Sequence, residues 1–391
     1  MRIAYIDPHP VPDILPATLQ ILQTVDALAE AGSSVDLITP QPLNNLTPAD
    51  VLGRNLANKA HLLYLPDIRQ RWWFPSSSNK PFYFLARRLL RRSQYDAILV
   101  RNLKLADYLI SRPLGIPVFF ETHEIFAQSF REQFPMTSIT RNRKLEALIR
   151  RESLVYSQAR GIICITQHLI EDIKSHYGVN TPAVLAPDGV DLHLAQPSGR
   201  QAASDKPLML LYLGSLHPWK GVEILIRAMP FVERAELHIA GGTETRIAEL
   251  SRLAQELNIA GKVVFLGPIS PVRRFELIDR ADICLLPLAN TSIGSRYTSP
   301  LKLFEYMAMG KPIIISDLPA IREVLVQAES ALLVEPENPS AIAEAVTRLQ
   351  QNTDLAKQLG EHARQLAHNR YSWLARAQKI AKFMQQHIRM P

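Results

Sequence analysis

Cysteine is nearly absent. The chain has 391 residues and two cysteines, Cys164 and Cys284, each inside an apolar run. They read as reduced core residues, which excludes a disulfide scaffold and points to the cytoplasm. Two cysteines alone also cannot build a metal site. No apolar run approaches the roughly 18 residues that a membrane span requires. The opening M-R-I-A-Y-I-D-P has no apolar stretch behind its charge, so it reads as a first strand rather than a signal peptide. The loop behind it, D-P-H-P-V-P-D-I-L-P-A-T, holds four prolines and no glycine. A dinucleotide fingerprint needs glycines there for close backbone approach, so this loop weighs against an NAD enzyme. His9 in that loop stands where a ligand would lie, although a lone loop histidine is more often simply exposed. Internal repeats, low-complexity segments and nucleic-acid recognition motifs are also missing.

What is present is an ordinary globular composition, 47% hydrophobic and 21% charged, with a net charge of +7. The positive balance favours anionic partners such as nucleotides or lipid headgroups. The length exceeds one compact core and suggests two domains. Short apolar runs alternate with helical patterns such as Leu19–Ala31. The first series of strands is Arg2–Ile6, Val35–Thr39, Ala97–Arg101, Pro117–Glu121, Gly161–Ile165 and Ala183–Leu185. The second is Leu208–Gly214, Ala235–Ala240, Val263–Leu266, Ile283–Leu286, Pro312–Ser316 and Ala331–Val334. This βαβ alternation, run twice, predicts two doubly wound α/β domains. The polar stretch Leu192–Pro207 is the expected join.

Three stretches carry chemistry. In R-Y-T-S-P-L-K-L-F-E-Y-M-A-M-G-K-P, residues 296 to 312, Ser299 suits an N-cap, Pro300 the first helical position and Gly310 the C′ position. Such a helix start is an anion site, and Glu305 lies one and a half turns further along. A phosphate at the start and hydroxyls further along describe a nucleotide sugar. A surface pair between Glu305 and Lys302, three residues apart, is the plainer account of the glutamate, and the surrounding motif argues against it. In L-Y-L-G-S-L-H-P-W-K-G a strand ends at Gly214, and Lys220 stands at a helix start, where the macrodipole disfavours a cation unless an anion is bound. In F-F-E-T-H-E-I-F, residues 119 to 126, His123 sits at the carboxyl end of a strand, the ligand edge of an open α/β sheet, with Glu121 or Glu124 available to orient it. A-P-D-G-V-D-L, residues 186 to 192, reads as a turn.

Between residues 69 and 92 seven basic residues (Arg69, Arg71, Lys80, Arg87, Arg88, Arg91, Arg92) alternate with Trp72, Trp73, Phe74, Phe82, Tyr83 and Phe84, and no acid falls between Asp67 and Asp96. This composition suits an anionic membrane surface. A helix with a solvated basic face and a buried aromatic face accounts for it equally well. Single-stranded nucleic acid ranks below both.

The ordered motifs G-S-L-H-P-W-K-G, H-I-A-G-G, F-L-G-P-I, A-D-I-C-L-L-P and S-P-L-K-L-F-E-Y-M-A-M-G-K-P-I-I-I-S-D-L-P resemble those of the family 4 retaining glycosyltransferases. The resemblance is strong from about Pro187 to Trp373 and weak over the first hundred residues. It implies a GT-B fold: two Rossmann-like domains facing across a cleft, an acceptor-side domain over 1–193 and a nucleotide-sugar domain over 194–370, with the final helix in 371–391 packing back on the first domain. It implies His123, Lys220 and Glu305 as catalytic residues. Lys220 would contact the donor diphosphate and Glu305 the ribose. The backbone near Pro268 and Ile269 would meet the base, and the amides of Thr298, Ser299, Pro300 and Leu301 would surround phosphate, Pro300 lacking an N–H of its own. Gly214, Ser215, Tyr297 and Lys302 complete the donor contacts. His123 would meet the donor sugar. No metal or cofactor is implied, and no Asp-x-Asp motif occurs. Two departures stand out. Tyr297 replaces the first glutamate of the family's Glu-x7-Glu, and Ser215 replaces the arginine of its Gly-Arg, which leaves Arg296 or Lys302 to supply that cation.

The expectation is therefore a metal-independent, retaining glycosyltransferase, cytoplasmic or peripheral on the membrane's cytoplasmic face. Its partners would be a nucleotide sugar and a saccharide, lipid or lipid-linked acceptor, without nucleic acid. A nucleotide-sugar epimerase or hydrolase, or a catalytically silent nucleotide-sugar-binding protein, is the alternative.

Overall fold

The computed structural model describes the chain except residues 73, 76, 136–137, 200–205, 292–294 and 389–391, and except the side chain of residue 70. The described residues form two compact units, Met1–Pro187 with Trp373–Pro391, and Asp188–Ser372. The stretch Leu192–Pro207, read above as the join, belongs to the second unit, and its residues 200–205 lie outside the described ones.

The first unit is built on a parallel sheet of β1 (Arg2–Ile6), β2 (Ser34–Pro40), β3 (Ala60–Leu65), β4 (Ala97–Val100), β5 (Val118–Thr122), β6 (Gly161–Cys164) and β7 (Ala183–Leu185), in the order β3-β2-β1-β4-β5-β6-β7. Ile3, Ala4 and Ile6 of β1, Ile98 and Leu99 of β4, and Phe119 and Phe120 of β5 are buried. A parallel strand covered on both faces reads as a continuous apolar run, which is why these strands were visible in sequence. β3 was not. It is an edge strand, A-H-L-L-Y-L, with no residue fully buried, so it lacks the uninterrupted run that marks its neighbours.

The second unit repeats the plan with β8 (Leu208–Leu213), β9 (Ala235–Ala240), β10 (Val263–Gly267), β11 (Ile283–Leu286), β12 (Ile313–Ser316) and β13 (Leu332–Val334), in the order β10-β9-β8-β11-β12-β13. In each sheet the chain begins at a central strand, builds outward on one side and crosses back to build the other. The crossing falls between β1 and β4 in the first sheet and between β8 and β11 in the second. Ligands of open α/β sheets bind at such reversals, outside the carboxyl ends of the strands.

The helix Trp373–Ile388 closes the first unit. Phe383 packs edge-on to Phe119, with ring centroids 6.0 Å apart. A Cβ on Gly161 would stand 2.6 Å from the Phe383 ring, so only glycine lets the helix seat there. Arg376, 3% exposed, donates to the Ala186 carbonyl at 3.2 Å, to Thr24 Oγ1 at 3.1 Å and to Glu121 Oε1 at 2.7 Å. One guanidinium thus joins the terminal helix to a long first-unit helix (Pro16–Glu30), to the end of β7 and to β5. Removing one member of a buried ion pair leaves an uncompensated charge, at a cost of about 3–5 kcal/mol. Arg376→Ala is therefore expected to lower first-unit stability by about that amount; an unchanged urea midpoint would show that Glu121 does not depend on the pair.

Candidate functional site

In the second unit, the loop after β8 is fixed from below. Buried Tyr212 donates its hydroxyl to the Ser215 carbonyl at 2.6 Å, and Tyr306 Oη accepts the Leu213 N–H at 3.0 Å. Gly214 is half-buried and Ser215 exposed. A single 3-10 turn, Pro218–Lys220, leads through Gly221 at φ +69° into the helix Val222–Ala228. A Cβ on Gly221 would lie 1.7 Å from the Pro287 carbonyl oxygen. The loops after β8 and β11 therefore meet at the crossing point of the sheet.

Lys220 stands at that meeting point. Its ammonium sits 3.8 Å from the centroid of the Trp219 ring. Among the described residues no carboxylate lies within ion-pair distance of it. Burial pushes its pKa down to about 8, because removal from water disfavours the charged form.

The helix expected after Ser299 runs from Leu301 to Ala308, with Pro300 in the cap position. The expectation of Ser299 as N-cap is corrected: its hydroxyl accepts the Asp188 N–H at 2.8 Å and so fastens the loop before this helix to the start of the unit. The helix end is as read from sequence. Gly310 has φ +65°, and the N–H groups of Gly310 and Lys311 return to the Met307 and Tyr306 carbonyls, a Schellman closure. Tyr297, in the position of the family's first glutamate, is buried, as is Thr298.

Glu305 is 4% exposed. Its Oε2 takes Lys302 Nζ at 2.7 Å and its Oε1 takes Arg274 Nε at 2.8 Å. The Lys302 pair, which reads from sequence as a surface contact, is thus present, but it is part-buried and belongs to a triad. Lys302 pairs with Glu305 in this structure. Burial alone would raise the Glu305 pKa; Lys302 and Arg274 outweigh it and hold the carboxyl below its usual range. Arg274 was missed, since nothing in the Arg273-Arg274 pair says which is inside. Arg273 is 73% exposed and Arg274 4% at the side chain. Pro268 and Ile269 follow β10, Pro268 exposed and Ile269 packed partly against the core.

In the first unit, His123 follows β5. Its Nε2 is 2.8 Å from Glu121 Oε1, and its Nδ1 is 3.2 Å from an Arg101 guanidinium nitrogen. Ionised Glu121 only accepts, so Nε2 carries the proton and the Nδ1 lone pair accepts from Arg101. Burial of Glu121 opposes its ionisation, yet the charge of Arg376 and the bond from His123 hold its carboxyl far below the usual range. Of the two glutamates considered, Glu121 orients His123; Glu124 lines the same cavity. That cavity, about 310 Å³, lies at the β1/β4 crossing and includes Asp7, His9, Arg101, Asn102 and His123. His9 is not a lone histidine: its Nδ1 lies 2.6 Å from buried Asp7, which raises its pKa.

The 69–92 segment contains the helix with a buried aromatic face, and two of its rings lie outside that face. The helix Lys80–Leu90 buries Phe82, Tyr83, Ala86 and Leu90. Trp72 (95% exposed) and Phe84 (59%) face solvent, Phe84 among Arg87, Arg88, Arg91 and Arg92. Arg69 is bound to Asp67 and Asn79, and Trp73 lies outside the described residues. Among the described residues no helix is long and apolar enough to cross a membrane.

Two parallel α/β units with polar loops gathered at both sheet crossings define a GT-B protein. Residues 17–194 match the family described as Glycosyltransferase Family 4, and residues 207–352 match that described as Glycosyl transferases group 1. The chain belongs to the family 4 glycosyltransferases. It is 27% identical over 261 residues to the D-inositol 3-phosphate glycosyltransferase of Corynebacterium urealyticum, covering 61% of this chain and 60% of that one. The chain spans about half the length of the curated relatives it matches. Its fold is similar to that of sucrose-phosphate synthase from Thermosynechococcus elongatus (TM-score 0.78, 22% identity, 98% of each chain). It is also similar to Anabaena HepE in complex with UDP-glucose (TM-score 0.74, 16% identity, 99% of this chain and 100% of that one).

A lysine that titrates near pH 8 holds more free amine at neutral pH than one titrating near 10.5, and the free amine is the acylated form. Lys220 is expected to be among the fastest lysines acetylated at pH 8, as read by peptide mass mapping. Labelling no faster than that of exposed lysines would show that its amine is not activated.

Proposed function

We propose that the protein is a retaining glycosyltransferase that moves a sugar from a nucleotide-sugar donor to an acceptor without a metal or cofactor. The observation that carries the reading is Lys220: a half-buried ammonium with no acidic partner among the described residues, at the crossing of the second sheet. A desolvated cation without a counter-ion is stabilised by a bound anion, and a diphosphate is the anion that suits a site next to a helix start.

In this reading Lys220 and the free amides at the start of the helix Leu301–Ala308 hold the diphosphate and stabilise the leaving nucleoside diphosphate as charge develops on it. Glu305 accepts the ribose hydroxyls. The backbone at Pro268 and Ile269 borders the base, and Gly214 and Ser215 leave room for the phosphates. His123, with its tautomer set by Glu121, addresses the transferred sugar. The UDP-glucose bound by the Anabaena protein supports a nucleotide-sugar donor. With Tyr297 buried in place of a glutamate, the sugar's hydroxyls are met by other groups than in the family pattern.

The acceptor is assigned to a membrane-associated lipid, lipid-linked saccharide or polysaccharide precursor. Support comes from the exposed Trp72 and Phe84 beside the four arginines of 87–92. Apolar rings inserted among headgroups, with arginines at the anionic surface, give binding that salt weakens.

The donor is tested by thermal shift with UDP-, GDP-, ADP- and TDP-sugars. A ligand at 100 times its Kd adds about 2.7 kcal/mol of apparent stability. One base class is expected to stabilise the wild type, and Lys220→Ala and Glu305→Ala to lose most of that gain. Equal gains in the variants would remove both residues from the donor site. The membrane assignment is tested by co-sedimentation with phosphatidylglycerol vesicles. Binding is expected at low salt, falling as salt rises, and lost in a Trp72→Ala/Phe84→Ala double variant; no binding at low salt sinks it.

A further inference from the structure

We propose that Arg274 is a positioning residue of the donor site: one guanidinium that fixes the Glu305 carboxylate and the Pro268–Pro271 loop relative to each other. The inference rests on the donor reading above. It concerns a residue that lies 31 positions from Glu305 and belongs to none of the motifs considered.

Arg274 is 3% exposed, although it begins a short surface helix, Arg274–Arg280. Its Nε donates to Glu305 Oε1 at 2.8 Å, and its terminal nitrogen donates to the Pro271 carbonyl. Its guanidinium carbon lies over the Phe275 ring, 4.6 Å from the centroid. Its neighbour Arg273 is exposed and lies 3.8 Å from Glu276. The burial of Arg274 therefore has a specific cause: the fork geometry of a guanidinium spans a carboxylate and a loop carbonyl at once, which a single ammonium cannot do.

The arrangement bears on recognition. Lys302, on Glu305's own helix, is still in part open to solvent and is a flexible point charge. Alone it would keep Glu305 ionised without fixing the rotation of its carboxylate. Arg274 fixes that rotation, so the remaining lone pairs of both oxygens have set directions. A ribose presents two adjacent hydroxyl donors and is bound well only by acceptors of set direction. The same guanidinium holds the Pro271 carbonyl, two residues beyond the Pro268–Ile269 stretch assigned to the base. One side chain therefore ties the ribose acceptor to the end of the loop that borders the base.

The experiment is calorimetric titration of UDP, GDP and ADP and of their 2′,3′-dideoxy counterparts into wild type, Arg274→Met and Arg274→Lys. The informative quantity is the preference for ribose over dideoxyribose, which a loss of general stability does not alter. Hydrogen bonds to a charged group give the wild type a preference of about tenfold or more for the nucleotide that binds. Arg274→Met is expected to reduce it to about threefold or less. Arg274→Lys retains a charge beside Glu305 and protects the fold, and is expected to lose a large part of the preference too. Weaker binding with the wild-type ratio in both variants would make Arg274 a structural residue only and overturn the proposal while leaving the donor reading intact. If Arg274→Met does not fold, the lysine variant decides by the same ratio. A wild type that binds none of the nucleotides would overturn the donor reading and this proposal with it.

Discussion

The constraint on which the structure depends is the direction of a parallel sheet. Every strand ends at the same edge, so every connection must cross back, and a sheet begun at its centre must reverse its direction of growth once. At that reversal, neighbouring strands send their following loops apart and leave a crevice. Both units are built this way, β1 against β4 and β8 against β11. The residues of interest gather there because the backbone leaves space there, not because their segments favour binding. The helix of Glu305 and the loop of Lys220 lie far apart in sequence, yet they serve adjacent parts of one sheet edge.

Around each crevice the same device recurs. A buried carboxylate stands behind the edge, and an arginine from a remote segment of the same unit holds it. In the first unit Glu121 is held by Arg376 and sets the proton on His123. In the second, Glu305 is held by Arg274 and Lys302. Ionised side chains out of water are costly, and they persist only where partners satisfy them in good geometry. Both carboxyls remain ionised for that reason. Lys220 is the exception, a half-buried cation with no acid beside it among the described residues, and that asymmetry is what the proposed diphosphate site rests on.

The second unit was the more legible. Its strands stood out as apolar runs, and its glycines are tied to geometry that sequence can express: Gly310 closes a helix at φ +65°, and Gly221 lets two loops touch. The edge strand β3 was hidden because half-exposed strands carry no continuous apolar run. Ser299 misled for a local reason. A serine before a proline reads as an N-cap, but here its hydroxyl is engaged by the backbone of Asp188, more than a hundred residues away. The pair Glu305–Lys302 was seen and then set aside as a surface contact, because spacing along a helix gives proximity and not burial.

The sequence by itself determined the periodicity of the elements, the parallel α/β class, the turns that only glycine makes, and the motifs that mark the family. All of these depend on residues close together in the chain. The tertiary structure alone decided which charged residues lie inside. Arg273 and Arg274 are identical in sequence terms, yet only one is buried against Glu305. Arg376 is one of several basic residues of the terminal helix, yet it is the one that joins that helix to Thr24, Ala186 and Glu121. Burial of a charge is fixed by partners that arrive from distant segments, and no local pattern records which of them will arrive.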